Sequence, residues 1–175
     1  IEDKIRLLHL MNALGIDTAD IGLPGAGPHV VRDVERLAEE IARERLSIRA
    51  NCAARTLRQD ITPVIEISQR TGVPIEVCTF IGSSPIRQYA ENWTLETMLH
   101  HTEDAVTYAV EHGLDVMYVT EDTIRAHPDT LRQLFLANTM YAAEHKGQNI
   151  PAAADMNDFM LPGADPDQKK KKKRW

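Results

Sequence analysis

Apolar residues recur at helical spacing in some stretches and crowd into short continuous runs in others, and the two kinds of stretch take turns. Over residues 2–14, Leu7, Leu10, Met11 and Leu14 fall at i, i+3, i+4 and i+7, which predicts a helix with one apolar stripe that stops at Gly15. Residues 16–22 read as a short strand. Pro28 suits a first helical position, and Val30, Val34, Leu37, Ala38 and Ile41 repeat at helical spacing after it. Arg32, Glu35, Arg36, Glu39, Glu40 and Arg43 fill the other face and predict solvated surface. A second strand is expected over 46–53, with Arg55 at its end. Thr62-Pro63 reads as a cap followed by a first helical position, opening a short helix that reaches Gly72. Residues 75–81 form an apolar, β-rich run closed by Gly82, Ser83 and Ser84, after which Pro85 ends regular structure. Thr94 caps a longer helix whose buried side is Met98, Leu99, Thr102, Ala105, Val106 and Ala109, ended by Gly113. A fourth strand covers 115–120, and Pro128 opens a last helix through Leu131, Leu134 and Phe135.

Helix followed by strand, repeated along the chain, is the signature of an α/β fold with a parallel sheet and crossover helices. Parallel strands share one functional edge at their C-terminal ends. Asp20, Arg55, Ser83, Ser84, Glu121 and Asp122 all stand at predicted strand ends and should converge there, with Arg87 just beyond. Each also has a plainer reading. The serines can belong to an ordinary turn, and Glu121 and Asp122 can cap a helix or pair with Arg125. The glycines of residues 22–28 allow close approach of backbone to a ligand but lack the G-x-G-x-x-G dinucleotide spacing.

The chain has 175 residues and a net charge of −6, which fits one soluble domain and argues against a general nucleic-acid binder. No apolar run reaches membrane-spanning length, and the N-terminus has no charged-then-apolar signal pattern. Cys52 and Cys78 read as free, buried thiols, with a disulfide or metal pair as the alternative. His100 and His101 are adjacent, a poor spacing for metal ligands on a helix, and read as solvated. The apolar period fades after about residue 138. This divides the chain into 1–138, the α/β part, and 139–175, an irregular, disordered tail ending in Lys169 to Trp175. A basic tail for nucleic acid or an anionic surface is the other reading of that end.

Several segments also resemble a known enzyme group. Cys78-Thr79-Phe80-Ile81-Gly82-Ser83-Ser84-Pro85-Ile86 is similar to the fourth-strand H-T-F-x-A-T-S-P-I of the 2-isopropylmalate, homocitrate and citramalate synthases. Thr120-Glu121-Asp122 resembles their fifth-strand S-x-E-D. Leu14-Gly15-Ile16-Asp17 with Ile21-Gly22-Leu23-Pro24 resembles the second-strand L-G-V-D…E-x-G-F-P, and Arg55 with Asp60 and Ile61 the third-strand A-R-x-x-x-x-D-I. The resemblance covers residues 2–137. It implies strands two to five of a TIM (β/α)8 barrel, hence a partial barrel of about four strands with crossover helices. It also implies a cytoplasmic, homodimeric acyltransferase of amino-acid biosynthesis, which condenses acetyl-CoA with a 2-oxo acid and uses a divalent metal (Mg, Mn or Zn). On this resemblance Arg55, Ser84 and Glu121 are substrate-side contacts, Glu121 orients the substrate or helps proton transfer, and Asp20 supports the site.

The chain departs from the pattern at Cys78, where the group has histidine, at Asp20, where it has glutamate, and at Arg87, where it has histidine. An arginine there can meet an extra carboxylate or phosphonate bidentately. The first-strand L-R-D-G-x-Q, the D-T-x-G strand and the H-x-H metal pair have no counterpart, so the metal ligands are not found in this chain. The chain alone is therefore expected to be inactive. A carbon–carbon lyase of the hydroxymethylglutaryl-CoA lyase type, and a non-catalytic interaction module, are the alternatives.

Overall fold

The computed structural model describes the backbone of residues 1–146 and the side chains of residues 1–141; the predicted tail from residue 147 onward lies outside the described residues. The described chain is α1 (Glu2–Ala13), β1 (Thr18–Asp20), α2 (Pro28–Glu44), β2 (Arg49–Arg55), α3 (Arg58–Thr71), β3 (Ile75–Gly82), α4 (Pro85–Glu91), α5 (Leu95–Glu111), β4 (Val116–Glu121) and α6 (Pro128–Lys146). Single helical turns at Pro24–Ala26 and Thr123–Arg125 follow β1 and β4. The four strands are parallel and lie in the order of the chain. Among the described residues β1 and β4 are therefore each paired on one side only. The expected partial barrel of four parallel strands is what the backbone forms.

Alternation along each strand sorts its side chains onto two faces. Ala50, Cys52, Ala54, Ile75 and Val77 join the main buried core with Val34, Leu37, Ala38 and Ile41 of α2 and Ile61, Val64 and Ile67 of α3. A fully buried valine, leucine or isoleucine of this kind contributes about 1.5–3 kcal/mol. A second core lies under β3 and β4, where Ile81 and Tyr118 meet Met98, Val106 and Val110 of α5 and Leu134 of α6. The opposite sheet face carries Ala53, Cys78, Phe80, Met117 and Val119, all partly exposed or exposed. Cys78 Sγ lies 3.9 Å from Met117 Sδ, next to it in the sheet register. Both cysteines are free thiols, as expected, with Cys52 buried and Cys78 half-buried.

Several elements differ from expectation for identifiable reasons. α1 buries Leu8 and packs Ile5 and Met11 on the core, while Leu7, Leu10 and Leu14 are exposed. Of the predicted stripe only Met11 reaches the core, joined there by Ile5 and Leu8. β1 is only three residues long. Glu40 is not surface: it is 4% exposed, accepts from His9 at 2.7 Å and pairs with Arg43. α3 begins at Arg58, before the Thr62-Pro63 pair, and Thr62 Oγ1 donates to the Arg58 carbonyl at 2.9 Å. Pro63 sits inside the helix, leaving the Gln59 carbonyl without its usual N–H. Pro85 opens a helix where it was expected to end regular structure, because Ser84 caps it. α6 continues to Lys146, past the predicted break at 138.

Candidate active site

The C-terminal strand ends hold the candidate residues, as parallel topology requires. At the β3–β4 corner, Gly82 is in register with Glu121. Ser83 donates both its backbone N–H and its hydroxyl to the Glu121 carbonyl, each at 3.0 Å. Gln88 Nε2 donates to the Ser83 carbonyl at 3.0 Å. Ser84 Oγ accepts the Arg87 N–H at 3.3 Å, which caps α4. Both serines are fully buried. Their hydroxyls hold the loop in shape, and Glu121 is left exposed at the strand tip.

Asp122 follows in the left-handed conformation, with φ 58°. Arg125 Nε donates to its carboxylate at 2.6 Å. Arg125, and then the Ser84 hydroxyl, hold this carboxyl below its ordinary range. The expected pairing of Asp122 with Arg125 is thus present, while Glu121 stays outside it.

Arg87 lies across Gly82. A Cβ added at Gly82 would stand 2.7 Å from Arg87 Nε and 2.9 Å from its Cγ, so the absence of a side chain is what admits the arginine. Arg87 Nη2 is 3.4 Å from Glu91, one turn on, and the side chain is 45% exposed.

Arg55 ends β2 beside this corner, in register with Phe80. Asp60, in the first turn of α3, is 1% exposed and accepts three times from Arg55. Nε donates at 2.6 Å and the backbone N–H at 3.2 Å to Oδ2, and Nη2 donates at 2.8 Å to Oδ1. Asp60 raises the Arg55 pKa still further, so the guanidinium is permanently charged. In the sequence Asp60 stands out only as part of the third-strand motif. The usable signal was a carboxylate five residues after an arginine at a strand end, in the first turn of the next helix.

Asp20 stands apart, on the edge strand. Its Oδ1 accepts the Gly22 N–H at 2.8 Å, which turns the chain after β1. It borders a cavity of about 450 Å³ that Lys4, Leu8, Met11, Ile21 and Leu23 also line. Burial, and next the Asp20 charge, push the Cys78 thiol upward, so it stays protonated. The expected convergence therefore holds for Ser83, Ser84, Arg87, Glu121 and Asp122 as one corner and Arg55 as its neighbour. Asp20 shares the edge without a hydrogen bond to the others among the described residues.

No group of three or more His, Cys, Asp or Glu side chains suited to a metal ion occurs among the described residues. The described residues by themselves therefore do not supply a ligand set for the implied divalent metal.

Sequential parallel strands, outer helices and polar residues gathered at the C-terminal strand ends define a segment of a (β/α) barrel. The chain belongs to the HMGL-like family, which it matches over residues 1–163, well past the last motif quoted above. It is 32% identical to a homocitrate synthase AksA of Methanopyrus kandleri over 165 residues, covering 93% of this chain and 38% of that protein. It is 29% identical to a 2-isopropylmalate synthase of Sulfurisphaera tokodaii, covering 86% of the chain and 37% of the relative. A putative (R)-citramalate synthase CimA of Methanopyrus kandleri is also 29% identical, over 85% of the chain and 28% of the relative. The chain spans under two-fifths of the length of these relatives.

Proposed function

We propose that this chain is the substrate-binding segment of an acyltransferase that condenses acetyl-CoA with a 2-oxo acid. Arg55 and Glu121 end the two strands that flank β3, and Arg87 of α4 lies over Gly82 at the end of β3; this gathering carries the reading, and the synthase names of the relatives favour it over the lyase alternative. In this reaction a base removes a methyl proton from acetyl-CoA. The enolate carbon attacks the 2-oxo carbonyl, the resulting alkoxide takes a proton, and hydrolysis of the thioester releases the thiol.

In the proposal Arg55 and Arg87 hold carboxylate on the acid, since a guanidinium meets it bidentately. Glu121 orients the acid or moves a proton at the strand tip. Ser83, Ser84 and Asp122 form the wall that fixes Glu121, and Asp20 supports the site from β1. The family resemblance adds a divalent metal, a cytoplasmic location and a homodimer to the proposal; no helix among the described residues is long and apolar enough to cross a membrane.

The test is to titrate the purified chain with 2-oxo acids while following amide NMR signals, and to assay thiol release from acetyl-CoA with Mg²⁺, Mn²⁺ or Zn²⁺. The expected result is a response confined to Arg55, Ser83 to Arg87 and Glu121, without turnover, because no metal-ligand set forms among the described residues. A chain whose signals respond to no 2-oxo acid would overturn the reading.

A further inference from the structure

The Arg55–Asp60 pair is lopsided. The carboxylate is 1% exposed and the guanidinium 52% exposed. Removing a carboxylate from water is costly, and here three donors from one residue offset it. Asp60 engages the Nε–Nη2 side of the guanidinium. Nη1 has no hydrogen-bond partner among the described residues, so the Nη1–Nη2 edge remains open. Behind the carboxylate sits Gly25, in the turn after β1. An added Cβ there would stand 2.5 Å from Asp60 Cγ and 2.7 and 2.8 Å from its oxygens. The turn is thus closed onto the carboxylate, and only glycine fits.

We propose that Asp60 is a positioning residue, seated by Gly25, that fixes Arg55 so that its open guanidinium edge faces the strand ends and receives the carboxylate of the 2-oxo acid. This rests on the reading of Arg55 as a substrate contact. A tie that served stability alone would not require an open edge on the exposed partner. A planar fork clamped on one side has lost its rotational freedom before the acid arrives, so less entropy remains to be lost on binding.

The experiment uses the purified chain, pyruvate as probe, and NMR of the arginine side-chain N–H groups together with the amides. In the parent, Arg55 should show separate, slowly averaging Nη signals that shift with pyruvate. Arg55→Ala should abolish the response. Asp60→Asn should average the Nη signals and raise the half-saturating pyruvate concentration about fivefold or more, the size of one loosened charge-assisted hydrogen bond. Ile67→Val, which trims the core away from the site, should lower the unfolding midpoint without changing the half-saturation. If Asp60→Asn does not fold, Gly25→Ala moves the same carboxylate without removing its charge and should weaken binding likewise. An unchanged half-saturation in folded Asp60→Asn or in Gly25→Ala, with Arg55→Ala silent to pyruvate, overturns the positioning role and leaves Arg55 as a contact. A parent-like response in Arg55→Ala overturns the contact reading itself, and the positioning role with it.

Discussion

Arg55 ends β2 and Arg87 follows the end of the neighbouring β3, on α4, yet one is clamped and the other is draped. Arg55 gives three donors to a carboxylate that is itself buried. Arg87 has Glu91 at 3.4 Å, on the same short helix, and rests on the bare backbone of Gly82. A buried, multiply bonded partner fixes a guanidinium, whereas a half-exposed pair one turn apart is worth little and leaves the side chain free to re-aim. In both places a glycine provides the room: Gly25 for a rigid carboxylate, Gly82 for a yielding arginine. On the proposed function, Arg55 would be the fixed contact common to many acids and Arg87 the adjustable one that chooses among them.

The largest effect that would sharpen this contrast belongs to Gly25→Ala. The new methyl group meets a carboxylate locked by three hydrogen bonds, so urea unfolding should show a loss of about 2–3 kcal/mol, the range for overpacking a site that cannot relax. Gly82→Ala should lose about 1 kcal/mol. There the guanidinium can swing away, although Arg87 Cβ at 3.0 Å also obliges a small shift of α4. Equal losses at the two glycines would erase the distinction.

Arg87→Ala should change stability by less than about 0.5 kcal/mol, as for other half-exposed ion pairs. In an active synthase, Arg87→His should shift preference between 2-oxo acids more than it alters acetyl-CoA binding. A uniform loss for every acid would assign Arg87 to the fold.

The smallest effect is one of pH. Arg125 and Ser84 hold the Asp122 carboxyl below its ordinary range in the folded chain. The stability this lends is complete above the ordinary carboxylate pKa of about 4 and is lost as pH falls through the lowered folded value. The difference in unfolding midpoint between the parent and Asp122→Asn should be present at about pH 7 and shrink in acid. A difference that grew on acidification would contradict the assignment.

The order of elements was most legible where an apolar run ended in a glycine, a proline or a capping threonine. Thr94 does cap α5, accepting from the Thr97 N–H at 3.2 Å, and Gly113 turns the chain after α5 with φ 81°. What the sequence did not settle was which partner lies where. Met11 can belong either to a stripe with Ile5 and Leu8 or to one with Leu7, Leu10 and Leu14, and periodicity alone does not choose between them. Glu40 reads as surface until His9 of the neighbouring helix is brought to it. The site divided in the same way. Position at strand ends was readable from topology, but the hydroxyls of Ser83 and Ser84 turn out to be committed to the loop. The clamp on Arg55 was readable only as two letters of a motif.

The strands stand side by side in the sequence in which they occur along the chain. Every described strand after β1 therefore leaves the ribosome after the neighbour it must join, and none waits for a later one to be inserted between it and its predecessor. At about 5–20 residues per second of synthesis, each helix–strand unit has seconds in which to dock on the sheet already made. A nascent chain of this topology grows at one advancing edge, and that edge, at any moment, is the part most exposed to chaperones and to wrong partners.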